Sequence, residues 1–322
     1  MLSAPQIKPD IRLEPIPKRP PERKRRVTIA AGMLCRDGIV LCADTELTLS
    51  SMKASRGKIF ITADHVRDCR MAIVGAGDYD YCKAAIQYTE PLFSEATEAP
   101  DLNNMQSALG DAASDVYVNH IYPNRLAQRD MSLMAAMWRK GEGFRLVKTS
   151  ETAVIRIDSY EVLGSGGEIA EYILKRSYQY DMSVAHAVAV AIYMMSEVKQ
   201  RGQGCGGETH VAVLREDGEL LSVLPEQVTE YEQTTEALNR IWQLAFGALF
   251  NLEVSQERYE SGVDVIAGGL RQLRGPMVMS EVLRRANPDK SEREVRRLYR
   301  ESKKRVHQRS KRGLKAQPPS RE

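Results

Sequence analysis

The amino-acid sequence predicts a layered α+β fold, and three observations predict it. Short apolar runs with strand character and longer runs with helical periodicity come in blocks, in the order strands, two helices, strands, two helices, strands. Paired alternation of this kind sets sheets against layers of helices and argues against single βαβ crossovers. The composition agrees, since 43% hydrophobic and 28% charged residues over 322 positions are ordinary for a chain with a packed core. Charge marks where that core lies. Residues 27–270 hold 21 Lys+Arg against 34 Asp+Glu, net −13, whereas residues 1–26 are net +5 and residues 271–322 net +11. An acidic body, long enough to bury one large core, thus carries two basic ends.

The elements follow in order. The first 26 residues contain six of the 14 prolines and end in Arg23-Lys24-Arg25-Arg26. Proline lacks an N–H and like charges repel, so this segment reads as an extended arm. From Val27, two apolar runs flank Arg36-Asp37-Gly38 and predict a β-hairpin. Lys58–Ile61 and Met71–Gly75 predict two further strands. Helical periodicity covers Asp78–Phe93 and, beyond the Pro100-Asp101-Leu102 break, Met105–His120. A second hairpin turns at Gly141-Glu142-Gly143, between MSLMAAMWRK and FRLVKTS. Tyr160–Leu163 is a short strand that runs through Gly164-Ser165-Gly166-Gly167 into a helix reaching Arg176. Ser183 caps a long apolar helix. The loop GQGCGGE then leads to the strand THVAVLR and a partner beyond Glu216-Asp217-Gly218. After Pro225 the chain reads as helical over 233–250 and 263–273, followed by MSEVLRRA, a break at Asn287-Pro288-Asp289 and a strongly basic helical stretch.

Several function classes are excluded at this level. No apolar run approaches the ~18 residues that span a bilayer, and the N-terminus has no apolar stretch of a signal peptide. Cys35, Cys42, Cys69, Cys82 and Cys205 are odd in number and never spaced C-x-x-C, which predicts reduced thiols in a cytoplasm, with neither a disulfide framework nor a zinc site. None of the five histidines has a metal-ligand spacing, and His186 on its apolar helix reads as a packing residue. No cofactor is expected.

Three features remain that carry chemistry. Thr28, then Asp44 on the next strand, then Lys58 supply a hydroxyl, a carboxylate and an ammonium, the parts of an acyl-transfer set in which lysine charge activates the hydroxyl and the carboxylate orients the lysine. The same residue types occur in any β-rich domain, so spacing alone leaves both readings open. Gly164–Gly167, between a strand and a helix, suits either an oxyanion site or a tight turn; a P-loop lysine and the dinucleotide fingerprint are absent. The basic helical segments near the C-terminus, with Arg284, Arg285, Arg296, Arg297 and Arg300, suit a nucleic-acid partner through residues 271–322, or a solvated, protein-docking tail in which interleaved glutamates pair with the bases.

Over about Val27–Leu224 the sequence resembles the proteasome subunits of the N-terminal nucleophile hydrolases. Thr28-Ile29-Ala30 with Arg36-Asp37-Gly38 through Asp44-Thr45 is similar to the opening hairpin of that family. Lys58-Ile59-Phe60 and Ile73-Val74-Gly75-Ala76-Gly77-Asp78 are similar to the segments leading into its first long helix. Leu163-Gly164-Ser165-Gly166-Gly167, Asp181–Val184 and Val198–Arg201 resemble its third and fourth helices. The resemblance implies a four-layer α/β/β/α sandwich over 28–224, preceded by a basic arm or propeptide at 1–27 and followed by a helical extension with a basic tail at 225–322. It implies Thr28 as nucleophile once residues 1–27 are removed, with the freed amine as base, Lys58 and Asp44 as charge partners, Gly75 N–H as oxyanion donor and Ser165 beside the amine. It also implies a peptide or protein substrate and a homo- or hetero-oligomeric ring, and residues 46–57 would border the substrate pocket. Two departures stand out. Val27 occupies the position before the nucleophile where the family has glycine, and Gly202 and Cys205 occupy its supporting Asp and Ser positions. A threonine-type hydrolase and a non-catalytic subunit that keeps its arm are both compatible with this pattern.

Overall fold

β1 (Ile29–Cys35) and β2 (Gly38–Asp44) form the expected hairpin, and their alternation organises the interior. The computed structural model describes residues 28–49, 52–64, 68–94, 100–124, 129–202, 204–251 and 253–285. The arm at 1–27, the break at 287–289 and the stretch beyond it lie outside the described residues. After a short ribbon of β3 (Glu46–Leu49) and β4 (Met52–Ser55) come β5 (Ile59–Asp64) and β6 (Cys69–Gly77), then α1 (Tyr79–Ser94) and α2 (Leu102–Val116). The second strand block is β7 (Met131–Arg139), β8 (Gly143–Ser150), β9 (Ala153–Ile157) and β10 (Tyr160–Gly164). It leads to α3 (Gly167–Ser177), α4 (Val184–Arg201), β11 (Thr209–Arg215), β12 (Leu220–Ser222), α5 (Pro225–Phe250) and α6 (Gln256–Arg285). Two five-stranded antiparallel sheets result, in the orders β10-β1-β2-β11-β12 and β5-β6-β7-β8-β9.

Side chains alternate across a strand, so one strand feeds two cores. On the first sheet Ile29, Ala31, Met33, Val40 and Cys42 face one way and pack with Leu174, Ala191, Met194 and Met195 of α3 and α4. Their neighbours Ala30, Ile39, Leu41 and Ala43 face the other way, against Ala72, Val74, Met134, Ala136 and Leu146 of the second sheet. The opposite face of that second sheet, with Met71, Ile73, Leu133 and Ala135, packs on Ile86 of α1 and Met105 and Leu109 of α2. Strands buried on both faces explain why the sequence shows apolar runs here rather than strict alternation.

Several boundaries differ from the sequence reading. β3, β4 and β9 were not anticipated; all three are short. α2 starts at Leu102, capped by the Asp101 carboxylate, which accepts from Asn104 N at 2.6 Å, and it ends in a π-helical turn at Tyr117–Ile121. α5 begins at Pro225, because proline at the first helical position sacrifices no hydrogen bond. α6 runs unbroken to Arg285, so MSEVLRR is its last turns rather than a separate helix. Ser183 caps α4 as expected, but His186 is exposed instead of packed, because its position on α4 falls on the solvent side. Among the described residues no helix is long and apolar enough to cross a membrane.

One contact clamps the two sheets at their edge. Trp138 of β7 donates from Nε1 to the Glu216 carbonyl at 2.9 Å, and its ring lies over the turn between β11 and β12. Gly218 in that turn has φ +84°, and a Cβ there would sit 2.5 Å from the Trp138 ring. Gly218→Ala is therefore expected to lower stability by about 1–3 kcal/mol, from backbone strain and displacement of the ring. Urea unfolding measures it, and an unchanged midpoint would contradict the clamp.

Candidate active site

Lys58 sits just before β5, and its side chain, 2% exposed, crosses to the first sheet. There the ammonium donates to Asp44 Oδ1 at 2.5 Å, to the Glu46 carbonyl at 2.6 Å and to Thr28 Oγ1 at 3.3 Å. An ammonium has three donors, and all three are used. Asp44, at the end of β2, also accepts from the Ile29 amide at 3.3 Å and the Gly206 amide at 3.2 Å. Burial pushes its carboxyl above the ordinary carboxylate value, while Lys58 and the two amides pull it back. The structure thus brings Thr28, Asp44 and Lys58 together, all buried.

Gly75 and Ser165 fall around this cluster. Gly75 on β6 has no room for a side chain, since a Cβ would meet Cys82 Cβ and Sγ of α1 at 2.9 Å. That close approach leaves its backbone lining a small cleft with Thr28, Lys58, Phe60, Gly77, Tyr79 and Cys82. Arg56 lies over the ring of Tyr79, a residue of the cleft wall, at 5.9 Å. β1 and β10 pair in a register that sets Ile29 opposite Gly164, the residue before Ser165. Gly164, with φ +93°, admits the Thr28 carbonyl where a Cβ would be 2.0 Å away. Ser165 Oγ is buried and has no hydrogen-bond partner among the described residues.

The loop GQGCGGE carries a role that sequence reasoning missed. Its amide at Gly206 holds Asp44, and its backbone is stitched to β3, with Glu46 N donating to Gly206 O at 3.2 Å and Glu208 N donating to Thr45 Oγ1 at 2.9 Å. A side chain at Gly206 would strike the Glu46 carboxylate at 2.3 Å, and Gly207 has φ +72°. The density of glycines in the sequence was the signal for this close approach. Cys205 is buried against Gly166 and Gly202, its thiol pushed up to about 12 by burial first and by Asp44 next. It is therefore a neutral packing group at physiological pH rather than a nucleophile. At Gly202 a Cβ would lie 2.7 Å from the Val198 carbonyl, so an aspartate there requires the backbone to shift. Among the described residues no three His, Cys, Asp or Glu side chains cluster as metal ligands.

The family model described as "Proteasome subunit" matches residues 26–214. Proteasome subunit beta 2 of Pyrococcus furiosus is 26% identical over 200 residues, covering 61% of this chain and 91% of that protein. The solved structure of Anbu from Hyphomicrobium sp. strain MC1 is similar with a TM-score of 0.58 at 17% identity, covering 70% of this chain and all of that one. The helical assembly of the Anbu complex from Pseudomonas aeruginosa gives a TM-score of 0.58 at 16% identity, over 71% and 98% of the two chains. At these identities the likeness to Anbu is one of fold.

Two outcomes follow from the buried charges and thiols. Asp44→Asn leaves the Lys58 ammonium buried without its counter-charge and is expected to destabilise the protein by about 3–5 kcal/mol in urea titrations, whereas replacing both partners by apolar residues should recover much of that loss. A single variant no less stable than the parent would contradict the pairing. All five cysteines are buried, so Ellman's reagent should find no fast-reacting thiol in the native protein and five after denaturation.

Proposed function

The chain belongs to the proteasome subunit family, and on that premise we propose that it is a threonine-type amidohydrolase or peptidase subunit whose nucleophile is Thr28, freed by removal of residues 1–27. The observation that carries this reading is the Lys58 ammonium, held by Asp44 and Glu46 and directed at Thr28 Oγ1 at 3.3 Å. A neighbouring cation favours the alkoxide character an attacking hydroxyl needs. In this mechanism Thr28 Oγ attacks the carbonyl carbon of a peptide or protein substrate, and the hydroxyl proton passes to the freed α-amine of the same residue. The Gly75 N–H stabilises the oxyanion, an effect worth a few kcal/mol in comparable sites. Collapse breaks the C–N bond as the α-ammonium returns its proton to the leaving amine, and water then hydrolyses the threonine ester. Ser165, next to the Gly164 that receives the Thr28 carbonyl and with its hydroxyl unpaired among the described residues, is the partner for that amine.

The order of cores, helices on a sheet, sheet on sheet, and sheet on helices, supports assignment to the four-layer α/β/β/α sandwich of the N-terminal nucleophile hydrolases. Assembly into a homo- or hetero-oligomeric ring or spiral belongs to the same reading, supported by the assembled state of the similar Anbu complex. A second reading, a non-catalytic subunit that retains its arm, is favoured by Gly202, where an aspartate would require the backbone to shift, and by Val27 in place of glycine.

N-terminal sequencing and intact mass of the protein from its native cell separate the two. The expected mature chain begins at Thr28 and gains one adduct there with a threonine-directed electrophile, and Thr28→Ala abolishes both the adduct and peptide hydrolysis. Lys58→Met should lower turnover by about 10²–10⁴-fold while leaving the N-terminus exposed. A full-length chain that takes no adduct, together with no adduct on a chain made to start at Thr28, would refute the catalytic reading.

A further inference from the structure

The loop that holds Asp44 is braced from outside by α5, a helix beyond the family match, which ends at residue 214. Four of the six residues at 202–207 are glycine. Glycine loses more conformational freedom on folding than any other residue, so a loop of this composition keeps one shape only where other groups hold it. Its inner edge is held where β2 runs into β3. The Gly206 amide donates to Asp44 Oδ2 at 3.2 Å, and the Glu208 carbonyl accepts from the Thr45 amide at 3.1 Å. Among its described residues the side chains add little to the hold. Cys205 is a neutral thiol, and the Glu208 carboxylate is exposed, 3.6 Å from His210.

The outer edge is held by charged groups from two helices. Lys199, in the last turn of α4, donates to the Gly207 carbonyl at 3.3 Å and to Glu232 Oε1 of α5 at 2.8 Å. The same carboxylate oxygen accepts from Thr209 Oγ1 at 3.2 Å. Thr209 opens β11, is buried, and stands opposite Asp44 in the β11–β2 register. Glu232 therefore ties α4, which ends just before the loop, to β11, which starts just after it. The Lys199 and Glu232 side chains are only 16% and 29% exposed, so their charge-assisted bond is less screened than an ordinary surface pair. α5 presents Glu232 at this point because its neighbours are fixed. Val228 is buried, Tyr231 packs against the same core as α4, and Asn239 donates to Glu197 of α4 at 2.5 Å.

From Glu232 the contacts run in one line to the threonine. Lys199 holds the Gly207 carbonyl, the neighbouring Gly206 amide holds Asp44, Asp44 holds Lys58, and Lys58 reaches Thr28 Oγ1. We propose that Glu232 is a positioning residue for the site, bracing the loop at 202–208 from α5 and so fixing where Asp44 and Lys58 stand. This inference rests on the catalytic reading given above. Glu232 bonds to neither Thr28 nor Lys58 and acts only through the loop. The first half of α5 is on this account part of the scaffold of the active site, although it lies outside the family match.

The test reads the loop and the chemistry separately. In the full-length protein, Glu232→Ala is expected to speed hydrogen exchange of the Gly206 and Glu208 amides by at least about tenfold, since their bonds to Asp44 and Thr45 open more often. Glu232→Gln keeps an oxygen that accepts from Lys199 and Thr209, and its exchange should fall between the parent and Glu232→Ala. Asn239→Ala removes a different contact of α5 with α4 and should leave both amides as in the parent. In a chain made to start at Thr28, Glu232→Ala should lower kcat about 10–100-fold with KM within about twofold, because the reacting groups are misplaced while substrate binding is spared. Asn239→Ala should leave kcat unchanged. Parent-like exchange at Gly206 in Glu232→Ala overturns the proposal, as does faster exchange with kcat unchanged. An equal effect of Asn239→Ala also overturns it and assigns the effect to the docking of α5 as a whole. A parent chain that starts at Thr28 and shows neither turnover nor adduct refutes the catalytic reading instead, and exchange at Gly206 still decides whether Glu232 braces the loop.

Discussion

Everything at the site depends on burying one ammonium. A lysine taken out of water must have each of its N–H groups accepted and its charge balanced, or it loses its proton. Lys58 meets that demand with acceptors from three different places, namely the start of β1, the end of β2 and the first residue of β3. The constraint then spreads. Asp44 needs further donors to stay a carboxylate, and it takes them from β1 and from the loop at 202–208. That loop in turn needs glycine at 206 and 207 to come close enough. Position, charge and backbone freedom are thus one linked requirement, even though the residues span more than 170 positions of sequence.

The legible part of the fold was the part with local punctuation. The hairpins at Arg36-Asp37 and Gly141–Gly143 and the cap at Ser183 are fixed by neighbours in sequence, and all appear where their signals stand. β3, β4 and β9 carry little apolar pattern because they pair at sheet edges or in a separate ribbon, where tertiary context supplies what their sequence lacks. His186 shows the opposite error. An apolar helix suggested burial, but the face on which one residue falls depends on what the helix packs against.

The chemistry was legible only as a set. Thr28, Asp44 and Lys58 are unremarkable by spacing, and they converge because β1, β2 and the start of β5 are brought together by two sheets packing face to face. The Glu46 carbonyl and the Gly206 amide left no side-chain signature, since backbone groups serve in both. Cys205 and Gly202, read from the sequence as departures, turn out to lie together, since a Cβ at Gly202 would sit 3.6 Å from the Cys205 sulfur.

The Trp138 clamp has a spectroscopic side. The chain has two tryptophans, and the fold assigns them to different events. Trp138 is buried at the seam where the sheets meet, while Trp242 stands in solvent on the second half of α5. Burial of the first should blue-shift its emission and make it track the integrity of the body. Exposure of the second should red-shift its emission and leave it open to a soluble quencher. The molecule therefore carries its own two-channel optical probe, one channel for the packed body and one for the surface of α5.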